Sequence, residues 1–127
     1  PNEIFRHVKR IRFGFLAKRF RTARNRSVYD WYVDNLLTRY VLMPSGEVTV
    51  QTRGNPSGQV STTTDNNMLN TWFQAFEFLH LNGFTFEQAK ERWASYDTLV
   101  YGDDRLTTTP VVPSDYTSRV VAMYHDI

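Results

Sequence analysis

The sequence predicts an α/β chain of the α+β type, with antiparallel strands packed against helices. Three observations carry this. Residues 2–20 and 62–82 place apolar side chains at helical spacing, whereas residues 40–52 and 97–109 each read as strand, turn, strand. The connections are short Gly/Pro clusters of turn length, with no linker, repeat or low-complexity stretch. At 127 residues, 41% hydrophobic and 15% aromatic, the chain has the size of one globular domain or of a piece of a larger one.

In the first helix, residues 2 to about 20, Ile4, Phe5, Val8, Ile11, Phe15 and Leu16 form the apolar stripe. Arg6, Lys9, Arg10 and Arg12 lie largely off it, so the helix reads as basic and amphipathic. After the basic loop RFRTARNR, Ser27 is the expected cap of a second helix, with Val28, Trp31, Tyr32 and Leu36 on its buried side. Pro44-Ser45-Gly46 joins two strands, and GNPSG, residues 54–58, is dense in turn formers. A long helix from Thr62 to Asn82 follows, stopped at Gly83. Thr85 and Gln88 form a capping box for a shorter helix through Trp93 and Ala94. TLVYGDDRLTTT reads as a hairpin turning on Gly102 and Asp103, and the tail SRVVAMYHDI as helix or strand.

Composition narrows the function. With no cysteine, any metal must sit on oxygen or imidazole, and no apolar run approaches the roughly 20 residues of a membrane span. The first residues lack the apolar core of a signal peptide, and the absence of an initial methionine suggests a chain cut from something longer. Residues 1–40 hold ten Lys or Arg against three acids, whereas residues 41–127 hold five against ten. Such asymmetry fits either a polyanion path leading to a cation site or two solvated helix faces. The same choice applies to the Arg and Lys of residues 6–26.

Two places carry chemistry. The stripe Leu69, Phe73, Phe76 runs back through Asn66 and Thr62, so these polar groups either bond inside a core or face a site. Ser57 and Gly58 form a flexible hydroxyl-bearing loop ahead of them, where helix N–H groups favour anions. At the hairpin, a reversal at Gly102 and Asp103 presents Asp103 and Asp104 together. They form either a solvated tip or a hard-cation site. His7, His80 and His125 are scattered, with no zinc spacing, and Trp31, Trp72 and Trp93 fall in helical patterns that read as core.

The combination "GNPSGQVSTTTDNN", then an apolar helix, then "VYGDD" on a hairpin resembles motifs B and C of the viral RNA-dependent RNA polymerases. The wider text, "YDWYVDNLL", "MPSGEVTVQTRGNPSGQ" and "YGDDRLTTTP", is similar to the astrovirus polymerases, so the resemblance covers most of the chain. It implies a partial polymerase palm, an antiparallel sheet bearing the catalytic hairpin and backed by helices. Residues 1–53 would lie between motifs A and B, 54–82 form the motif B loop and helix, 97–109 the motif C hairpin, and 110–127 the start of the motif D region.

The resemblance further implies an RNA polymerase of a positive-strand RNA virus, transferring nucleotides from NTPs to an RNA 3′-hydroxyl by a two-metal mechanism. Asp103 would be the principal ligand of Mg²⁺, with Mn²⁺ able to substitute, and Asp104 a weaker or helper ligand. Tyr101 and Gly102 would shape the turn. Ser57 and Gly58 would contact template and nascent pair, Thr62 and Asn66 would sense the ribose 2′-hydroxyl, and Arg19, Arg21, Arg24 and Arg26 would line an RNA or NTP channel. Implied partners are RNA template, primer or nascent strand, NTPs and the rest of the polymerase, in replication complexes of the host cytoplasm. No segment of residues 1–53 fits the family's motif A strand, and no lysine follows Lys90 to serve as the motif D general acid. The expectation is a chain that begins after motif A, is inactive alone, and has an open sheet edge. Two alternatives are a reverse-transcriptase-like palm, disfavoured by Thr62 and Asn66, and a non-catalytic RNA-binding fragment held by its basic helix.

Overall fold

The computed structural model describes residues 1–126. Its elements form two compact units, residues 1–65 and 66–127, with five α-helices and two antiparallel hairpins among the described residues.

The first unit opens with α1 (Asn2–Gly14), followed by a single 3-10 turn (Lys18–Phe20) and α2 (Ala23–Leu37). Phe5, Val8 and Phe13 of α1 and Val33 and Leu37 of α2 are its buried apolar residues. The expected stripe of α1 is corrected at one end: the helix stops at Gly14 with Phe15 and Leu16 beyond it and exposed, and Ile11 within it is exposed as well. Helix α2 starts five residues earlier than expected, because Thr22 rather than Ser27 caps it, accepting from the Asn25 N–H at 3.2 Å. Val28 and Trp31 are exposed on this helix, so neither belongs to the core. Strands β1 (Arg39–Leu42) and β2 (Val48–Gln51) pair with Tyr40 opposite Val50 and Leu42 opposite Val48, turning through Pro44-Ser45-Gly46 as expected.

In the second unit, α3 (Thr62–Asn82) continues from the first, followed by α4 (Phe86–Trp93), β3 (Asp97–Tyr101), β4 (Asp104–Thr108) and α5 (Tyr116–Asp126). The stop after α3 is a Schellman motif: Gly83 sits at φ +63°, its N–H donates to His80 O, and Phe84 N–H donates to Leu79 O. The capping box of α4 is present, with Thr85 and Gln88 bonded reciprocally. Phe78 and Leu81 of α3, Ala89 of α4 and Met123 of α5 form the buried apolar set. Phe78 meets Phe84, Trp93 and Tyr96 edge-on, and Trp93 stacks on Tyr96 at 4.1 Å. The tail is helical. The single sheet expected from the sequence is instead two separate two-stranded sheets, one in each unit.

Candidate active site

The hairpin is built by register. Tyr101 pairs with Asp104, so Gly102 and Asp103 alone make the turn. Gly102 has φ +66°, and among the described residues no non-glycine residue has positive φ, which is the pattern of a type II′ turn with glycine first. Asp103 is therefore at the tip, and Asp104 is the first residue of β4, both exposed. Strand alternation sorts the rest. Leu99, Tyr101 and Leu106 lie on the exposed face, while Thr98, Val100 and Thr107 are half-buried on the other.

Helix α3 meets the hairpin through a polar stripe at Asn67, Asn70, Gln74 and Glu77. Asn67 Oδ1 accepts from Gly102 N–H at 2.6 Å, and Asn70 Nδ2 donates to Gly102 O at 3.3 Å and Asp103 O at 3.0 Å. Gln74, fully buried, donates to Asn70 Oδ1 and accepts from the Tyr96 and Thr107 hydroxyls, each at 3.0 Å. Glu77, 3% exposed, takes both guanidinium nitrogens of Arg105 at 2.9 and 2.6 Å, and accepts from the Tyr116 and Tyr124 hydroxyls. Burial, with the Glu77 charge behind it, raises the pKa of both tyrosines, so they remain donors. Hydrogen bonding to Glu77 likewise holds Arg105 above its ordinary value despite its burial.

A cavity of about 350 Å³ opens beside this stripe, and among its walls are Asn66, Asn70, Gly102, Asp103 and Arg105. The structure thus brings three of the sequence-predicted residues, Asn66, Gly102 and Asp103, to one cavity. The ion pairs among the described residues involve neither Asp103 nor Asp104.

The loop at residues 54–58 belongs to the first unit. Ser57 and Gly58 are exposed, and the Thr62 hydroxyl donates to the loop carbonyls of Pro56 at 2.7 Å and Gln59 at 3.0 Å. Just inside the loop is a group that hydrophobic patterning missed. Asp65, with no exposure, accepts from Lys9 Nζ at 2.6 Å, Arg12, Ser61 Oγ at 2.8 Å and Gln59 Nε2 at 3.0 Å. Burial pushes its pKa up, but the bonds from Lys9, Arg12 and Ser61 outweigh this and hold it below the usual carboxylate range. Lys9 is itself only 1% exposed, with its ammonium 5.2 Å from the Phe5 ring and 5.0 Å from Tyr32. It is thus neither a channel residue nor a solvated one.

Of the arginines expected in a channel, Arg19, Arg21 and Arg24 are exposed. Arg26 is committed elsewhere, pairing with Asp30 at 2.8 Å and lying 5.2 Å from the Phe13 ring. His7, His80 and His125 are exposed, His80 stacking on Phe76. Among the described residues no group of three or more His, Cys, Asp and Glu side chains could hold a metal ion. No helix among them is long and apolar enough to cross a membrane.

A family model described as viral RNA-dependent RNA polymerase matches residues 1–127. The chain is 61% identical to the non-structural polyprotein 1AB of human astrovirus-5 over 127 residues, covering all of this chain and 9% of that protein. It is 58% identical to the ovine astrovirus 1 polyprotein over 128 residues, again all of this chain and 10% of that protein. The turkey astrovirus 1 polyprotein is 41% identical over 136 residues, all of this chain and 8% of that protein. The chain spans about a tenth of the length of the curated relatives it matches. No solved structure matches it.

Proposed function

The chain belongs to the viral RNA-dependent RNA polymerase family, and we propose that it is the part of a polymerase palm carrying one carboxylate wall of the nucleotidyl-transfer site. In this reading the intact protein adds nucleotides from NTPs to an RNA 3′-hydroxyl on an RNA template, in cytoplasmic replication complexes of a positive-strand virus. The observation that supports it is that Asn66 and Asp103, read here as the ribose-sensing amide and the metal-binding carboxylate, line one cavity.

The donor set fits a hard divalent cation: Asp103 and Asp104 offer exposed carboxylate oxygens on adjoining residues. Bound there, Mg²⁺ supplies activation of the 3′-hydroxyl and neutralisation of the departing phosphate's charge. Two carboxylates do not fill such a site, and in this reading the remaining ligands come from the motif A strand of the polymerase. Asp103 is the principal ligand and Asp104 the helper. Asn66, with Thr62 one turn before it on α3, tells ribose from deoxyribose through the 2′-hydroxyl, and Ser57 and Gly58 follow the template and nascent pair. In the same reading the exposed Arg19, Arg21 and Arg24 line an RNA or NTP channel of the intact polymerase.

The test uses the intact polymerase. Asp103→Ala abolishes elongation while RNA binding survives, and retained elongation overturns the metal role. A strong preference for dNTPs over NTPs in the unaltered enzyme would instead favour a reverse transcriptase.

A further inference from the structure

We propose that Asn67, Asn70 and Gln74 are positioning residues for the metal-binding hairpin, their side-chain amides fixing where the turn presents the Asp103 carboxylate. The catalytic meaning rests on the polymerase reading of Asp103 given above.

A two-residue turn leaves the backbone groups of its central residues outside the strand ladder, and each needs a partner. Two side chains of α3 take three of the four. Asn67 takes the Gly102 N–H, and Asn70 takes the carbonyls of Gly102 and Asp103. The peptide units on either side of the Asp103 α-carbon are thereby tied to the helix, with its side chain carried between them.

The sense of every bond follows from the turn outward. A backbone N–H can only donate and a carbonyl can only accept, so Asn67 must show its oxygen and Asn70 its amino group. Asn70 Oδ1 then points away from the turn, and Gln74 Nε2 donates to it at 3.0 Å. Gln74 is left presenting Oε1, which accepts from Tyr96 and Thr107. Because Gln74 is fully buried, water cannot stand in for a lost partner. Thr107 also contacts the Thr98 hydroxyl across the strands, so the relay ends in the hairpin that it began by holding. Helix α3 grips the hairpin at its tip and again at mid-strand. A catalytic group displaced by about 1 Å loses on the order of 100-fold in rate, which is the scale on which such a grip acts.

Two isosteric changes separate positioning from packing. Asn67→Asp keeps an oxygen towards the Gly102 N–H, whereas Asn70→Asp sets an oxygen against two carbonyls. Size and added charge are the same in both. In the intact polymerase, kcat, KM for NTP, the Mg²⁺ concentration for half-maximal rate, RNA binding and the thermal midpoint are measured for each. Asn67→Asp is expected near the wild-type rate, and Asn70→Asp about 100-fold lower in kcat. The Asn70 variant should also have a raised Mg²⁺ requirement and unchanged RNA binding. Should Asn70→Asp fail to fold, Asn70→Ala removes the donors without adding repulsion, and about a tenfold loss of kcat with the same Mg²⁺ shift is expected. Equal behaviour of the two Asp variants, or a rate loss that leaves the Mg²⁺ requirement unmoved, overturns the proposal. Asp103→Ala, run alongside, keeps the readings apart: if it still elongates, the polymerase assignment fails, and if it is inactive while the two Asp variants match, only positioning fails.

Discussion

Asp65→Asn tests how the first unit holds the start of α3. In the native chain the Asp65 carboxylate receives four donors, and its strongest partner, Lys9, is equally buried, 1% exposed. Neutralising Asp65 leaves the ammonium with Ser61 Oγ at 3.0 Å and two aromatic faces. Removing one partner of a buried pair costs about 3–5 kcal/mol. The aromatic faces offset about 1–2 kcal/mol of that, so a loss of about 3 kcal/mol is expected. Lys9→Met is milder, because Asp65 keeps Arg12, Ser61 and Gln59, and a loss of about 1–2 kcal/mol matches one net hydrogen bond to a charged group. Urea unfolding of the chain at neutral pH, followed by helical circular dichroism, reads both. A loss of this size moves the midpoint by roughly 1–3 M. The double variant should be less damaging than the two losses added, with a coupling of roughly 1–3 kcal/mol. Equal costs for the two single variants, or a cost below about 1 kcal/mol for Asp65→Asn, would refute this account of the buried pair.

The same carboxylate sets an acid dependence. Its folded pKa lies below the unfolded value of about 3.9, so its stabilisation is full above that pH and drains away as pH falls through the folded value. The stability difference between the native chain and Asp65→Asn should be flat above about pH 5 and shrink below about pH 4; a difference unchanged down to pH 3 would contradict it. Gly102→Ala isolates backbone strain, since an added Cβ there meets nothing within 4 Å while φ stays at +66°. A loss of about 1–2 kcal/mol is expected, read as a lowered thermal midpoint, and an unchanged midpoint would show that the turn relaxes.

What the sequence revealed is what local chemistry decides. The stop at Gly83, the Thr85–Gln88 box and the Gly102 reversal each depend on residues a few positions apart, and each stands where the text predicts it. Lys9 shows the opposite case. A helical wheel assigns lysine to water, and only Asp65, 56 positions away, makes its burial tolerable. Thr22 and Ser27 are both competent caps, and the choice falls to Thr22, beside which Asn25 Nδ2 also bonds back to Phe20 O. At the site, the stripe from Leu69 and Phe73 back to Asn66 marks one wall of the cavity. Asn67, Asn70, Gln74 and Glu77 are not legible in the same way, because a polar stripe looks like a solvated face until its partners are known. Those partners are turn backbone, hydroxyls and Arg105, none of which a hydrophobic pattern records.

That stripe also explains why the hairpin has one register against α3. Buried polar networks are favourable only when every member is satisfied, and among the described residues no buried side-chain nitrogen or oxygen lacks a partner. Sliding the hairpin by one residue would turn Arg105 and Thr107 to the opposite face. Gln74 and Glu77 would then be stranded, at about 1–3 kcal/mol for each lost bond and more for the charge. An apolar interface would penalise the slip far less, since Leu99 and Leu106 could fill much the same space. A polar stripe therefore gives the turn a specificity that greasy packing would not. The residue held in register is Asp103, the carboxylate on whose position the proposed metal site depends.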